Sequence, residues 1–304
     1  MTRVLPFSDD SISEAATLIR EGQPVAIATE TVYGLAADAT NAAAVARIYE
    51  AKGRPSFNPL IVHVPELAGA KAIGEFSAEA LQLAERHWPG PLTLVVPLGR
   101  HSRIAPLVTA GLPTIGLRVP RHRAMQALLR ASGRPLAAPS ANASGSISPT
   151  RAEHVVRSLG GRIPLIVDDG PCEGGIESTI LAATGGPLRL LRPWPIAVVA
   201  AEQSSGDAIE SPGQMASHYA PSKPLRLEAR EARDGEFLIG FGPVAGDVSL
   251  SPSGDLVEAA ARLFDLLHAA DASAQPQIAV APVPDEGLGR AINDRLRRAS
   301  GERR

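Results

Sequence analysis

The chain has 304 residues, 44% of them hydrophobic and 20% charged, with one cysteine, Cys172. At roughly 150 residues per domain, two domains are expected, and a single thiol excludes an internal disulfide framework and any multi-cysteine zinc site. The net charge of -2 divides into 19 Lys/Arg against 16 Asp/Glu in residues 1–200 and 11 against 16 in residues 201–304. The first part therefore suits an anionic ligand but lacks the basic excess of a dedicated nucleic-acid binder. No apolar run approaches the ~20 residues that cross a bilayer, and the start of the chain lacks a basic-then-apolar secretory pattern. The expectation is a cytoplasmic protein with no membrane partner.

Taken in order, residues 11–20 place Ile12, Ala15, Ala16 and Ile19 on one face and predict an opening helix. Residues 25–28 are a short apolar run that predicts a buried strand whose end presents Thr29 and Thr31. Asn41 is a helix N-cap signal, followed by Ala44, Val45, Ile48 and Tyr49 at helical spacing. That helix should stop at Gly53, which brings Lys52 and Arg54 into one loop. Residues 60–64 predict a second strand, with His63 inside it. Ser77 should cap a helix that Trp88-Pro89-Gly90-Pro91 ends. Strands are expected at 92–96 and 114–120. The latter carries Arg118 in an apolar context, where a charge is costly unless it is paired or faces a ligand. A helix over 124–131 and a short strand over 135–138 lead into Pro139-Ser140-Ala141-Asn142-Ala143-Ser144-Gly145. A helix from Pro149-Thr150 to Leu159 is expected next. A strand over 165–167 follows, and then a hairpin of 177–180 with 188–192.

These segments, joined by hairpins and by helices, predict an α/β fold with a mixed sheet and helices packed on it. Composition shifts at 201–224, where Ser, Gly and Pro cluster around His218-Tyr219-Ala220-Pro221, and this stretch is expected to be a linker. Beyond it a strand at 237–240, a helical stripe over Leu256, Ala259, Ala260, Leu263, Phe264 and Leu267, a strand at 278–281 and a basic closing helix at 289–299 predict a small parallel α/β domain. The expected division is 1–200, 201–224 and 225–304.

Several residues have a plain reading beside a functional one. Lys52 and Arg54 are ordinary cations at a helix C-terminus. In a chain with 3 Lys and 27 Arg, however, an ammonium beside a guanidinium also suits a polyphosphate. Ser140 and Asn142 populate turns, but a Ser/Asn turn after a strand also offers donors to phosphates. A lone His63 in an apolar strand is most simply a core residue. Cys172 reads as a structural thiol in a loop, and Arg290, Arg295, Arg297 and Arg298 read as a solvated helix face. No Gly-x-Gly-x-x-Gly or Walker-type loop is present, so any ATP site must be of another kind.

Thr29-Glu30-Thr31-Val32-Tyr33-Gly34-Leu35, Lys52-Gly53-Arg54-Pro55 and Asn58-Pro59-Leu60-Ile61-Val62-His63, in this order, resemble the YrdC-like family of threonylcarbamoyl-AMP synthases. Ser140-x-Asn142 matches that family's nucleotide element. The stretch from Ser211 to Pro221 and Gly287-Leu288-Gly289-Arg290-Ala291-Ile292-Asn293-Asp294-Arg295 resemble its long, two-domain form, so the likeness covers nearly the whole chain. It implies a YrdC-like twisted sheet followed by a Rossmann-like C-terminal domain. It also implies the joining of ATP, L-threonine and bicarbonate, with Mg²⁺ on the phosphates, to make an adenylate that tRNA threonylcarbamoyl transfer machinery consumes.

By that resemblance, Lys52 and Arg54 are catalytic. Arg54, Asn58, Thr114, Ser140, Asn142, Ser148, Arg192 and His218 contact ATP, while Thr31, His63, Arg118, Ala138 and Ser178 hold threonine. No residue is expected to ligate a metal directly, and His218 with Tyr219 would act as a lid. The chain departs from the family pattern at Ala28, where Pro is usual, and at Trp194, where Gly is usual. It also lacks the usual aromatic and basic pair between Gln214 and Ser217. Domains of this kind also have a concave face proposed to hold double-stranded RNA, so an RNA-binding module without turnover is the alternative. A carbamoyltransferase of hydrogenase maturation also carries such a domain, but one cysteine argues against its Cys-rich zinc motifs.

Overall fold

Alternate residues of two buried strands face two different cores, and this decides the architecture. In β2 (Val25–Ile27) and β3 (Gly34–Asp38) every residue is buried. Val25, Ile27 and Ala36 join one apolar cluster, while Ala26, Leu35 and Ala37 join another. Successive side chains on a strand point to opposite faces, so these strands need a helical layer on each side. The structure, a computed structural model, describes residues 1–193, 196, 202–203, 211 and 218–301.

Its first lobe is a mixed sheet. It contains β1 (Arg3–Pro6), β2, β3, β4 (Ile61–His63), β5 (Leu92–Pro97), β6 (Thr114–Arg118), β7 (Leu136–Ala137), β8 (Leu165–Asp168), β9 (Thr179–Ala182), β10 (Arg189–Arg192) and β11 (Glu202–Gln203). Their spatial order is β1-β8-β2-β3-β7-β4-β6-β5-β9-β10-β11. The helices of this lobe are α1 (Asp9–Arg20), α2 (Ala42–Lys52), α3 (Leu67–Lys71), α4 (Ala78–His87), α5 (Pro106–Thr109), α6 (Arg123–Ser132) and α7 (Ala152–Leu159). Ile12, Ala15, Ala16 and Ile19 of α1 pack with Leu128 and Leu129 of α6 over one face of the sheet. Ala44, Val45 and Ile48 of α2 pack over the other.

Local chemistry sets the helix ends. Ser8, and not Ser11, caps α1; the two serines form a reciprocal capping box, which starts the helix at Asp9. Asn41 accepts from the Ala43 and Ala44 amides at the start of α2. At its end Gly53 takes a left-handed conformation (φ 58°), which turns the chain so that the Arg54 amide bonds Tyr49 O. Helix α7 begins at Ala152, later than expected from Pro149-Thr150, because the Pro149 carbonyl is taken by the Tyr33 amide. β1 and β3 carry no alternating pattern and went unread in the sequence; the edge strand is mostly exposed, and β3 is buried on both faces.

The second lobe is a parallel sheet of order β12-β15-β13-β14. Its strands are β12 (Leu225–Arg226), β13 (Glu236–Gly240), β14 (Val248–Ser249) and β15 (Gln277–Val280), and its helices are α8 (Leu256–Ala272) and α9 (Gly289–Ser300). Asp255 caps α8 through the Val257 and Glu258 amides. The core of this lobe is not its own alone, because Val32, Ile147 and Ile176 of the first lobe and Tyr219 pack into it with Phe264 and Leu267. At the same junction Gly175, at φ +68°, lies so close to α8 that a Cβ there would meet Ala261 O at 2.3 Å. The imidazoles of His154 and His268 stack with centroids 3.8 Å apart, and Arg151 pairs with Asp265 at 2.7 Å.

The expected linker lies largely outside the described residues, as do Trp194 and Gln214 to Ser217. One expectation fails outright. Arg295 is not on a solvated face: it is fully buried, with ion-pair partners Glu177 and Asp294. Arg290 stays exposed and Arg297 and Arg298 are half-buried, so of the four only Arg295 turns inward, to a carboxylate that the tertiary fold brings near. No helix among the described residues is long and apolar enough to cross a membrane.

Candidate active site

The first lobe gathers several of its buried polar residues around one cavity. His63 and Arg118 are register partners on the adjacent parallel strands β4 and β6. Ile61, two residues before His63, lies on the same face. Together with Thr31, Ala138 and Ser178 they line a cavity of about 50 Å³. Arg54, Ser140, Arg192 and His218 line the same cavity and form a second wall that meets the first where Arg192 bonds Ser178. Thr29, Val32, Gly34 and Glu177 also line it, although the sequence did not single them out for a role.

On the first wall, Arg118 meets the expectation for a buried charge in both of its forms. Its NH2 lies 2.7 Å from Glu30 Oε1, its NH1 donates to Thr31 Oγ1 at 3.1 Å and its Nε donates to Gly90 O. Burial works against an ionised Glu30, yet the Arg118 charge and hydrogen bond, with help from the Arg121 amide, outweigh it and bring the carboxyl down to about 2. The pair is thus charged, and Arg118 still faces the cavity. Thr29 Oγ1 accepts from the Thr31 and Val32 amides and lies 2.9 Å from Thr31 Oγ1, which fixes the hydroxyls of the Thr-Glu-Thr turn. Burial, followed by the charge of Arg118, pushes His63 down to about 3, and its Nδ1 is buried with no hydrogen-bond partner. It is a neutral imidazole with a polar atom to offer.

On the second wall, Arg54 donates to Asn58 O at 3.1 Å and Pro59 O at 2.8 Å. Arg192 donates to Ser178 O and Ser178 Oγ at 2.8 and 3.1 Å. Both guanidiniums are held by neutral oxygens, and neither forms an ion pair among the described residues. Burial pulls Arg54 down to about 10 and lowers Arg192 as well. His218 sits among these cations. Burial first, and then the charges of Arg54, Lys52, Arg192 and Arg298, hold it well below the usual imidazole range. Such a nest of buried, unneutralised positive charge is complementary to a polyanion. Among the described residues, no group of three or more His, Cys, Asp or Glu is placed to hold a metal ion. Cys172 is buried with its thiol pushed up to about 12 by burial, which makes it a poor nucleophile.

Five of the residues expected at the site stand behind or beside the cavity wall. Lys52 is buried and its ammonium donates to Ser140 O at 2.6 Å and Asn142 O at 2.5 Å, so it holds the Ser/Asn turn against α2. Burial and the Arg54 charge lower its pKa. Asn142 donates to Ala143 O and Ser146 O, which leaves its buried Oδ1 without a partner. The backbone oxygen of Asn58 anchors Arg54. Ser148 donates to Glu177 and so stands one residue behind the wall. Thr114 lines a separate hollow that shares Ile61 with the main cavity. Glu30 lies between two threonines and Glu177 before Ser178-Thr179, so neither has an apolar run to mark it as buried, and only the fold shows their cationic partners.

The fold and this site define a two-lobed α/β protein with a cationic cleft whose charge is complementary to an anion. A family model described as telomere recombination, covering Sua5, YciO and YrdC, matches residues 17–193. A second, described as the threonylcarbamoyl-AMP synthase C-terminal domain, matches residues 180–301. The chain is 41% identical to the threonylcarbamoyl-AMP synthase of Bacillus subtilis, over 100% of this chain and 96% of that protein. To that of Pyrococcus abyssi it is 40% identical, over 95% and 94%. The crystal structure of P. abyssi Sua5 complexed with L-threonine superposes with a TM-score of 0.89 at 37% identity, covering 99% of this chain and 98% of that one. The chain belongs to the threonylcarbamoyl-AMP synthase family, and is therefore an enzyme of the nucleotidyltransferase type.

Proposed function

We propose that the chain joins L-threonine, bicarbonate and ATP into threonylcarbamoyl-adenylate with release of pyrophosphate, and that this adenylate is the donor for threonylcarbamoyladenosine in tRNA. The observation that carries the reading is the pair Arg54 and Arg192, both buried, both facing one cavity and neither in an ion pair among the described residues. In the same cavity, Thr31, His63, Arg118 and Ser178 offer hydroxyls, an imidazole and a cation, a polarity suited to a small amino acid.

In this reading the carbamate formed from threonine and bicarbonate lies on the Arg118 wall and is itself the nucleophile. Its oxygen bonds to the α-phosphorus of ATP as the bond from that phosphorus to the bridging oxygen breaks, and the electron pair leaves with pyrophosphate. No protein nucleophile is needed. Catalysis consists of alignment and of cations that meet the growing charge on the leaving group. Arg54 and Arg192 supply that charge, Ser140 and Asn142 position the nucleotide, and Lys52 holds their turn in place. The donors around the cavity are hydroxyls, imidazoles and cations with a single carboxylate, Glu177, already engaged by Ser148 and Arg295. A magnesium ion therefore fits as a companion of the ATP phosphates, neutralising their charge and keeping its waters, rather than as an ion caged by this chain. His218 lines the cleft, while Tyr219 beside it packs against Phe264 in the core of the second lobe. A volume of about 50 Å³ is below a nucleotide-sized pocket of several hundred Å³, and in this reading His218 is a lid that moves aside for ATP and closes to keep water from the adenylate.

The experiment is incubation with ATP, threonine and bicarbonate, each left out in turn, with pyrophosphate and the adenylate followed. Release that needs all three supports the reading; release without threonine or bicarbonate, or none at all, rejects it.

A further inference from the structure

Helix α9 of the second lobe reaches the back of the active site through one fully buried side chain. Arg295 NH1 donates to Pro193 O at 2.7 Å, and Arg295 Nε lies 3.4 Å from Glu177 Oε2. Glu177 Oε1 accepts from Ser148, and the residue itself lines the cavity. One turn along α9, the Arg298 carbonyl accepts the amide of His218 at 3.2 Å. Pro193 directly follows Arg192, and His218 is part of the cavity wall. A single helix therefore holds the chain beside both of these cationic-wall residues.

Glu177 is an oddity in a cleft for phosphates. A buried carboxylate at that wall repels a polyanion and competes with it for Arg192. A buried charge left unpaired is costly, and one that is paired is largely cancelled at short range. Resting on the nucleotide reading above, we infer that Arg295 is a positioning residue for ATP: it neutralises Glu177 and fixes Pro193, so that Arg192 and Arg54 keep their charge for the phosphates. The second lobe thereby contributes to the site without touching the substrate.

The test uses the full chain and a non-hydrolysable α,β-methylene analogue of ATP, with binding measured by calorimetry alongside threonine binding and thermal melting. R295M should weaken the analogue by about tenfold or more while threonine changes by less than about threefold. E177Q/R295M should recover most of the lost affinity, because the uncompensated carboxylate is gone, and R295K should fall between R295M and the wild type. A packing role alone would lower the melting temperature, weaken both ligands together and show no recovery in the double variant; that pattern overturns the inference. So does a folded R295M with wild-type analogue affinity. Should R295M fail to fold, E177Q decides: equal or tighter analogue binding supports the inference, and weakening by about tenfold overturns it. Since binding needs no turnover, a wild type that binds the analogue yet releases no pyrophosphate rejects the synthase reaction and leaves the role of Arg295 intact. A wild type that does not bind it overturns both.

Discussion

Lys52 donates its ammonium to the backbone carbonyl of Ser140 at 2.6 Å, across 88 residues of sequence. With the matching bond to Asn142 O, this clamps the end of α2 to the Ser/Asn turn. Lys52→Met would leave one buried carbonyl, that of Asn142, and one half-buried carbonyl, that of Ser140, without this donor, at about 1–3 kcal/mol for the buried one and less for the other. The expected outcome is a protein destabilised by a few kcal/mol in urea and slowed about 10²-fold or more in pyrophosphate release. Lys52→Arg should not restore it, because a planar fork cannot replace a point charge between two oxygens. A stable Lys52→Met protein with full turnover would remove the clamp from the account.

Arg54 differs in that its fork both grips the chain and faces the cavity. Arg54→Met is expected to cut the rate of adenylate formation by about 10²-fold or more, as loss of a contact that strengthens in the transition state should. The KM for threonine should change little, since threonine is assigned to the other wall. Steady-state kinetics with each substrate varied in turn will show this; a defect confined to the threonine KM would reassign Arg54.

Stability should fall in acid earlier than carboxylate titration alone would cause. Burial pushes His63 to about 3, His154 to about 4 and His268 to about 3. In the unfolded chain each would take a proton near 6.5. These folded values are depressed, so below 6.5 the unfolded state binds more protons than the folded one. The stability present above 6.5 is therefore lost as pH drops from about 6.5 towards 4. Glu30, held at about 2, has the same sign but acts later, below about 4.5. Urea midpoints should be flat from about pH 7 to 8 and decline between about 6.5 and 4, and His154→Asn should make that decline shallower. A midpoint unchanged at pH 5 would falsify this assignment.

Gly175 joins the lobes by having no side chain. Its φ of +68° and the 2.3 Å approach of Ala261 O to a would-be Cβ leave no room for alanine. Gly175→Ala should cost about 2 kcal/mol or more, through backbone strain and the displacement of α8. Thermal melting with hydrogen exchange on α8 is the check. An unaltered melt with unaltered exchange would show that the junction yields freely.

The sequence revealed most where local chemistry decides structure. Asn41, Ser77 and Gly53 act as the caps and the stop read from their types, and the β9–β10 hairpin pairs as expected. The motif residues Thr31, Arg54, His63, Arg118, Ser140, Ser178 and Arg192 do converge on one cavity. Arg295 and Glu177 were not legible as partners, because 118 residues separate them and nothing in either neighbourhood names the other. An arginine on a basic helix looks solvated until the helix is docked. For Lys52 the spacing gives its neighbourhood, but only the fold shows that its ammonium bonds the backbone carbonyls of Ser140 and Asn142.

Val32, Ile147 and Ile176 have consequences for any shortened version of this molecule. They belong to the first lobe but are kept dry by Phe264, Leu267 and Tyr219. Cut after Arg192, the remaining piece would show water an oily patch beside its own cationic cleft, prone to self-association. A free-standing one-lobed enzyme on this plan would need polar side chains at those three positions. The C-terminal lobe is thus a built-in stopper for a surface that the first lobe cannot leave bare.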